Sequence, residues 1–223
     1  MKRFHIITLF PEATDAYLNS SILGRARKEK KISVSYVNPR DFVDNKWGKV
    51  DERPYGGGPG MVMTALPVVK AAAKALGKKS AKPKKAVIWF TPAGTQFTNA
   101  EADKLAKYDE LVFICGRYEG IDERAVKILK TIAPVKKYSI GPYVVTGGEV
   151  PAMIVVDAIT RRLPGVLGKD ASVEERRIAS NEIYTRPETL SWKGKNYKVP
   201  KVLQTGHHAN IDAWRLKNKK SGK

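Results

Sequence analysis

Residues Phe4 to Phe10 form a short apolar run closed by Pro11, and they read as a buried strand. Ala13 to Lys31 places apolar Ala16, Leu18, Ile22 and Leu23 ahead of a basic end at Arg25, Arg27, Lys28, Lys30 and Lys31. Cations at the last turn suit a helix carboxyl terminus, so a helix is predicted there. Ile32 to Val37 alternates in strand fashion. This β-α-β opening predicts an α/β fold, a parallel sheet covered by helices.

The same grammar continues. Thr64 to Leu76, rich in Ala and Val, predicts a helix, and Gly77 to Lys85 a basic linker. Ala86 to Phe90 predicts a buried strand that ends in Thr91-Pro92-Ala93-Gly94. After a helix over Asn99 to Lys107, the strand Glu110 to Cys115 ends in Gly116-Arg117-Tyr118-Glu119-Gly120, and a helix follows over Ile121 to Lys130. In Tyr138 to Pro151 the β-branched run Val144-Val145-Thr146 lies between Gly141 and Gly147-Gly148, and predicts a strand before a helix over Pro151 to Arg162. Three strands, ending near Phe90, Cys115 and Val145, thus each feed a glycine-bearing loop. Carboxyl ends of parallel strands form the ligand crevice of an open sheet. Such loops offer peptide N–H and C=O groups between apolar walls, as an adenine ring needs. The Gly-x-Gly-x-x-Gly of a dinucleotide site is absent.

Pro54 to Met63 holds four glycines in five positions, Gly56-Gly57-Gly58-Pro59-Gly60. No Gly-Lys-Ser/Thr follows, which argues against a phosphate loop and leaves a lid over a flat ring, ahead of a plain flexible loop, as the expectation.

Charge changes the picture. Among 223 residues, 41 Lys and Arg against 22 Asp and Glu give a net +19, and nucleic acid is the first partner to expect. The single cysteine, Cys115, forbids an internal disulfide and fits a reducing compartment. The amino-terminal apolar run is too brief for a signal segment, and no run approaches membrane-spanning length. A cytoplasmic protein without a membrane partner is expected. After Arg162 the texture shifts. Leu163 to Gly168 and a charged stretch lead to a basic, aromatic end with Trp192, Tyr197 and Trp214. The expected organisation is a main domain over 1–165, a flexible linker over 166–183 and a small basic module over 184–223. The last residues, from Lys217, are expected to be disordered.

Several motifs recur in order in one family: Leu9 to Glu12, Pro39 to Phe42, Asp51 to Met61, Cys115 to Arg124, Ser139 to Glu149, Pro164 to Gly168, Tyr184 to Pro187 and Gly206 to Ala209. On these the chain resembles the bacterial tRNA (guanine-N1-)-methyltransferases of the TrmD family over nearly its whole length. The resemblance implies a SPOUT-type parallel sheet with a deep trefoil knot, and a helical carboxyl-terminal module that here looks shortened. It implies an obligate homodimer with the active sites at the interface. It also implies transfer of a methyl group from S-adenosylmethionine to N1 of the guanosine immediately 3′ of the tRNA anticodon.

Carried over by motif, the cofactor pocket would comprise Trp89, Phe90, Thr91 and Pro92, then Gly116, Tyr118, Glu119 and Gly120. The third loop would add Ile140, Gly141, Tyr143, Val145, Thr146, Gly147 and Gly148. Arg161 matches the arginine at the reaction centre. No protein metal site is implied, although a Mg2+ requirement remains open. Besides the shortened carboxyl-terminal module, the chain departs from the family in two places. The general base is an Asp in the segment after Gly168, and an ungapped count puts Arg176 there. Glu175 is the expected substitute, with Glu174 and Asp170 as weaker choices. Pro142 stands where Asp is usual, which removes a backbone donor. These departures keep two alternatives open: an RNA-binding SPOUT protein that holds cofactor but catalyses weakly, and a methyltransferase for another RNA position.

Overall fold

The computed structural model describes residues 1–77, 84–167 and 182–218. The chain divides into two compact units, Met1–Val166 and Leu167–Lys223. The first contains β1 (Lys2–Ile7), α1 (Glu12–Leu18), α2 (Ser21–Lys28), β2 (Ile32–Val37), β3 (Asp51–Glu52), β4 (Val62–Met63) and α3 (Ala65–Leu76). It continues with β5 (Lys85–Gln96), α4 (Asn99–Ala106), β6 (Glu110–Ile114), α5 (Arg124–Ile132), β7 (Val135–Ser139) and α6 (Glu149–Thr160).

Five strands form one sheet in the order β2-β1-β6-β5-β7, every pair parallel. The period of two along each strand sorts its side chains into two cores. Phe4, Ile6, Ala86, Ile88, Leu111 and Phe113 pack beneath α1, α2, α4 and α6. Ile7, Val87, Trp89, Val112 and Ile114 pack beneath α3 and α5. Burial on both faces explains why β5 and β6 read as unbroken apolar runs. At the amino ends of the three central strands, the nearly buried Glu110 carboxylate pairs with Arg3, and with Lys85 at 3.2 Å.

Three predicted elements differ. The single helix over 13–31 is two helices, because Ser20 leaves the helical region (ψ 159°). Its hydroxyl donates to the Tyr17 carbonyl at 2.8 Å, which helps end α1. The strand predicted at Val144-Val145-Thr146 is a loop. The third strand is β7, nine residues before Gly148. Its last pairing is Ser139 with Gln96, and Pro142 and the flanking glycines prevent the short β-branched run from extending the ladder. β5 also runs beyond Phe90 to Gln96, with Tyr138 opposite both Phe90 and Thr95.

The second unit's described part is not purely helical. It has an antiparallel hairpin, β8 (Thr189–Trp192) and β9 (Lys195–Lys198), a 3-10 turn at Lys201–Gln204, and α7 (His208–Lys217). Lys193 (φ 48°) and Gly194 (φ 75°) make the two-residue turn, whose left-handed backbone matches strand twist. Most of the predicted linker, and the tail beyond Asn218, lie outside the described residues. Among the described residues no helix is long and apolar enough to cross a membrane.

Candidate functional site

β5, β6 and β7 all deliver their carboxyl ends to the same edge of the sheet. There Phe90 to Pro92, Gly116 with Tyr118 to Gly120, and Tyr138 to Ile140 with Tyr143 to Gly148 line one cavity of about 240 Å3. Thirteen of the fifteen pocket residues carried over from the sequence lie on its wall. The two exceptions follow from strand alternation and packing. Trp89 points to the α3/α5 core and edges a neighbouring cleft instead. Gly141 lies behind the Tyr143 ring, which would be 2.2 Å from a Cβ built there. Tyr138, Ser139, Val144 and Pro151 also line the pocket; they belong to the stretch 138–151 singled out in the sequence but not to the residues carried over by motif. Their pairing with Phe90 and Gln96 of β5 sets the first two at this edge of the sheet.

Close backbone approach holds the loops together. The Gly148 N–H donates to the Gly116 carbonyl at 2.9 Å, and the Phe97 N–H to the Ser139 carbonyl at 2.7 Å. A Cβ on Gly94 would come within 2.6 Å of the Tyr138 backbone, and one on Gly148 within 2.5 Å of the Cys115 Cα. Tyr118 has φ +58°, unusual for a side chain of its size.

Charge is buried beneath these loops. Glu149, the first residue of α6, is 2% exposed. One carboxylate oxygen accepts from the Thr8 hydroxyl at 2.6 Å, and the other faces the Arg117 guanidinium at 3.1 Å. Arg117 also stacks over the Phe10 ring at 4.6 Å. A Cβ on Gly147 would come within 2.6 Å of both partners, so glycine lets the turn lie against the ion pair. Nearby Cys115 is fully buried. Desolvation, with Glu149 beside it, pushes its thiol well above the usual range.

The pocket opens beside a larger cleft, about 1380 Å3, that shares Phe90, Thr91, Pro92, Glu119 and Gly120 with it. The glycine-rich segment 54–61 borders this cleft. Its end is pinned to the second loop, by Glu119 N–H to the Met61 carbonyl at 3.0 Å and Met63 N–H to the Gly120 carbonyl at 2.9 Å. At its tip, Cβ positions on Gly56, Gly57 and Gly58 have nothing within 4 Å.

Arg161 is not at the pocket of its own chain. It caps the far end of α6, and the pocket meets the near end at Gly148. A helix of this length separates them by about 18 Å at 1.5 Å per residue. Among the described residues the Arg161 guanidinium makes no side-chain hydrogen bond. Glu175, Glu174, Asp170 and Arg176 lie outside the described residues. No group of three His, Cys, Asp or Glu able to hold a metal occurs among the described residues.

The cradle fits an adenosyl group. It offers peptide edges, the apolar Pro92, Ile140 and Val145, and open space where a Gly120 side chain would stand.

Comparison with known proteins agrees. The chain is 45% identical over 216 residues to a tRNA (guanine-N(1)-)-methyltransferase of Photobacterium profundum, covering 95% of this chain and 83% of that one. It is 45% identical over 220 residues to the enzyme of that name from Shewanella sediminis, covering 96% and 86%. A protein of the same name from Lachnospira eligens is also 45% identical, over 95% of this chain and 87% of its own. The profile of the tRNA (Guanine-1)-methyltransferase TrmD family matches residues 1–222, and the chain belongs to that family.

Proposed function

We propose that the protein transfers a methyl group from S-adenosylmethionine to N1 of the guanosine immediately 3′ of a tRNA anticodon. The observation that carries this reading is the meeting of three glycine loops at one adenosyl-sized pocket, in a chain of this family. Phe90 to Pro92, Gly116 to Gly120 and Ile140 to Gly148 would hold the donor, largely through peptide groups. The donor supplies an already activated sulfonium methyl, so the chain's task is to align it with N1 and exclude water.

N1 of guanine carries a proton and is a poor nucleophile until a base removes it. Glu175 is the proposed base. Charge then develops toward O6, where an arginine fork can donate hydrogen bonds; Arg161 is the proposed group. The helix length between Arg161 and its own pocket favours delivery by a second copy, so we propose a homodimer whose sites form between protomers. A trefoil knot belongs to the same reading. It is supported by the close passage of Gly94 against Tyr138 and of Gly148 against Cys115.

The carboxyl-terminal module is proposed to grip tRNA while the target base leaves its stack. Any Mg2+ would be held chiefly by RNA oxygens, which suits its preference for keeping water ligands. We place the activity in the cytoplasm, in keeping with a single buried, reduced cysteine. The test is transfer of labelled methyl to tRNAs that carry G or A after the anticodon, with and without Mg2+. Product only with G supports the reading. Equal labelling of both, or label at another base, points to another RNA position. Tight donor binding without product points to a weak catalyst that binds RNA.

A further inference from the structure

The hairpin β8–β9 carries an apolar face that is largely exposed. Side chains alternate along a strand, and residues paired across strands share a face. Leu190 pairs with Tyr197, and Trp192 with Lys195, which puts Leu190, Trp192, Tyr197 and Lys195 on one side. Leu190 is 58% exposed, Trp192 66% and Tyr197 56%. The other side, Thr189, Ser191, Asn196 and Lys198, is polar. A face of this kind costs free energy in water unless something covers it.

The charge around it selects the occupant. Residues 189–201 hold Lys193, Lys195, Lys198 and Lys201 and no acid. The Lys193 ammonium lies 5.8 Å from the Trp192 ring centroid. Two copies of this hairpin meeting face to face would bring like charges together, which disfavours self-association. Flat rings among cations are what unstacked bases and their phosphates recognise.

We propose that this face is a stacking platform for unpaired bases of the tRNA, with Trp192 and Tyr197 as the stacking rings and Lys193 and Lys195 on the adjoining phosphates. The proposal deepens the tRNA reading above and rests on it. It gives the hairpin a role separate from chemistry: affinity for RNA, not rate.

The test uses the full chain, its Trp192→Ala, Tyr197→Ala, Trp192→Phe and Lys195→Ala variants, and unmodified tRNA with G after the anticodon. Affinity is read by equilibrium binding over a salt series, and methyl transfer by single turnover at saturating tRNA. Each aromatic truncation should weaken binding about tenfold, within the range for base–aromatic stacking. It should leave the salt slope and the saturated rate unchanged. Trp192→Phe should retain most of the affinity. Lys195→Ala should lower the salt slope by about one phosphate contact. Wild-type affinity in both Ala variants would overturn the proposal. So would a change of oligomeric state in those variants, which would make the face an interface between copies. Binding of the face to anionic phosphatidylserine vesicles with no effect on RNA would overturn it too. If the wild-type protein bound tRNA but made no product, the methyl-transfer reading would fail while the affinity series still decided the role of the hairpin.

Discussion

The Gly148 N–H reaches the Gly116 carbonyl at 2.9 Å and joins the loop after β7 to the loop after β6. The contact exists only because neither loop interposes a side chain. A Cβ on Gly148 would meet Cys115 Cα at 2.5 Å and Gly116 N at 3.0 Å, and both are backbone atoms that cannot swing aside.

Gly148→Ala should therefore spread the two loops. Overpacking of this kind costs about 1–3 kcal/mol, so a drop of several degrees in melting temperature is expected. Donor affinity, measured by calorimetry, should fall more than tenfold. Unchanged affinity would separate the loop contact from the site.

Arg117 and Glu149 form a buried pair beneath the same turn. Glu149→Gln keeps the shape and leaves the guanidinium without its counter-charge, which costs about 3 kcal/mol in comparable buried pairs. Urea unfolding should show that loss. In a double-mutant cycle, Arg117→Met with Glu149→Gln should cost clearly less than the sum of the two. Additive losses would mean that the pair does not act as a unit.

Arg161→Ala should cut methyl transfer at least about a hundredfold, the scale of losing one transition-state donor, while donor affinity stays within about twofold. If Arg161 serves the pocket of a second copy, mixing Arg161→Ala with Gly148→Ala protein should restore part of the activity that neither has alone. A mixture as inactive as its components would argue for a site built within one chain.

Burial holds the His5 imidazole below its usual value of 6.5, with Glu110 opposing the shift and Arg3 and Lys85 adding to it. Ser35 bonds its Nδ1 at 2.7 Å. The folded state then binds this proton less readily than the unfolded chain. The stability it contributes is complete above about 6.5 and is lost as pH falls below that value toward the depressed folded pKa. Urea midpoints taken at about pH 7.5 and about pH 5.5 should show the loss, and His5→Gln should reduce it. An equal slope in the variant would assign the pH effect to other groups.

Much of this fold was legible because β1, β5 and β6 bury their apolar runs between helix layers and β2 alternates apolar with polar residues. β7 was not. It is an edge strand, and Lys136 and Lys137 in its sequence Val-Lys-Lys-Tyr-Ser hide its period. The β-branched run at 144–146 had the propensity of a strand, but Pro142 and the flanking glycines keep it from extending the ladder. The hairpin at 189–198 was missed because its strands are four residues each and carry lysines on both faces. The pocket loops stood out through their glycines, whereas Tyr138 and Ser139 are ordinary strand residues whose place depends on register. That Arg161 lies a helix length from the pocket was already implicit in the helix expected over Pro151 to Arg162, whose rise per residue sets its two ends apart.

Binding of S-adenosylmethionine to the wild-type protein and to Val145→Trp, a change that fills the pocket, tests the central claim most directly. The account predicts one bound donor per wild-type chain, and loss of that binding in a variant whose melting temperature is retained. No uptake by the wild-type protein, or equal uptake by the filled variant, would contradict it.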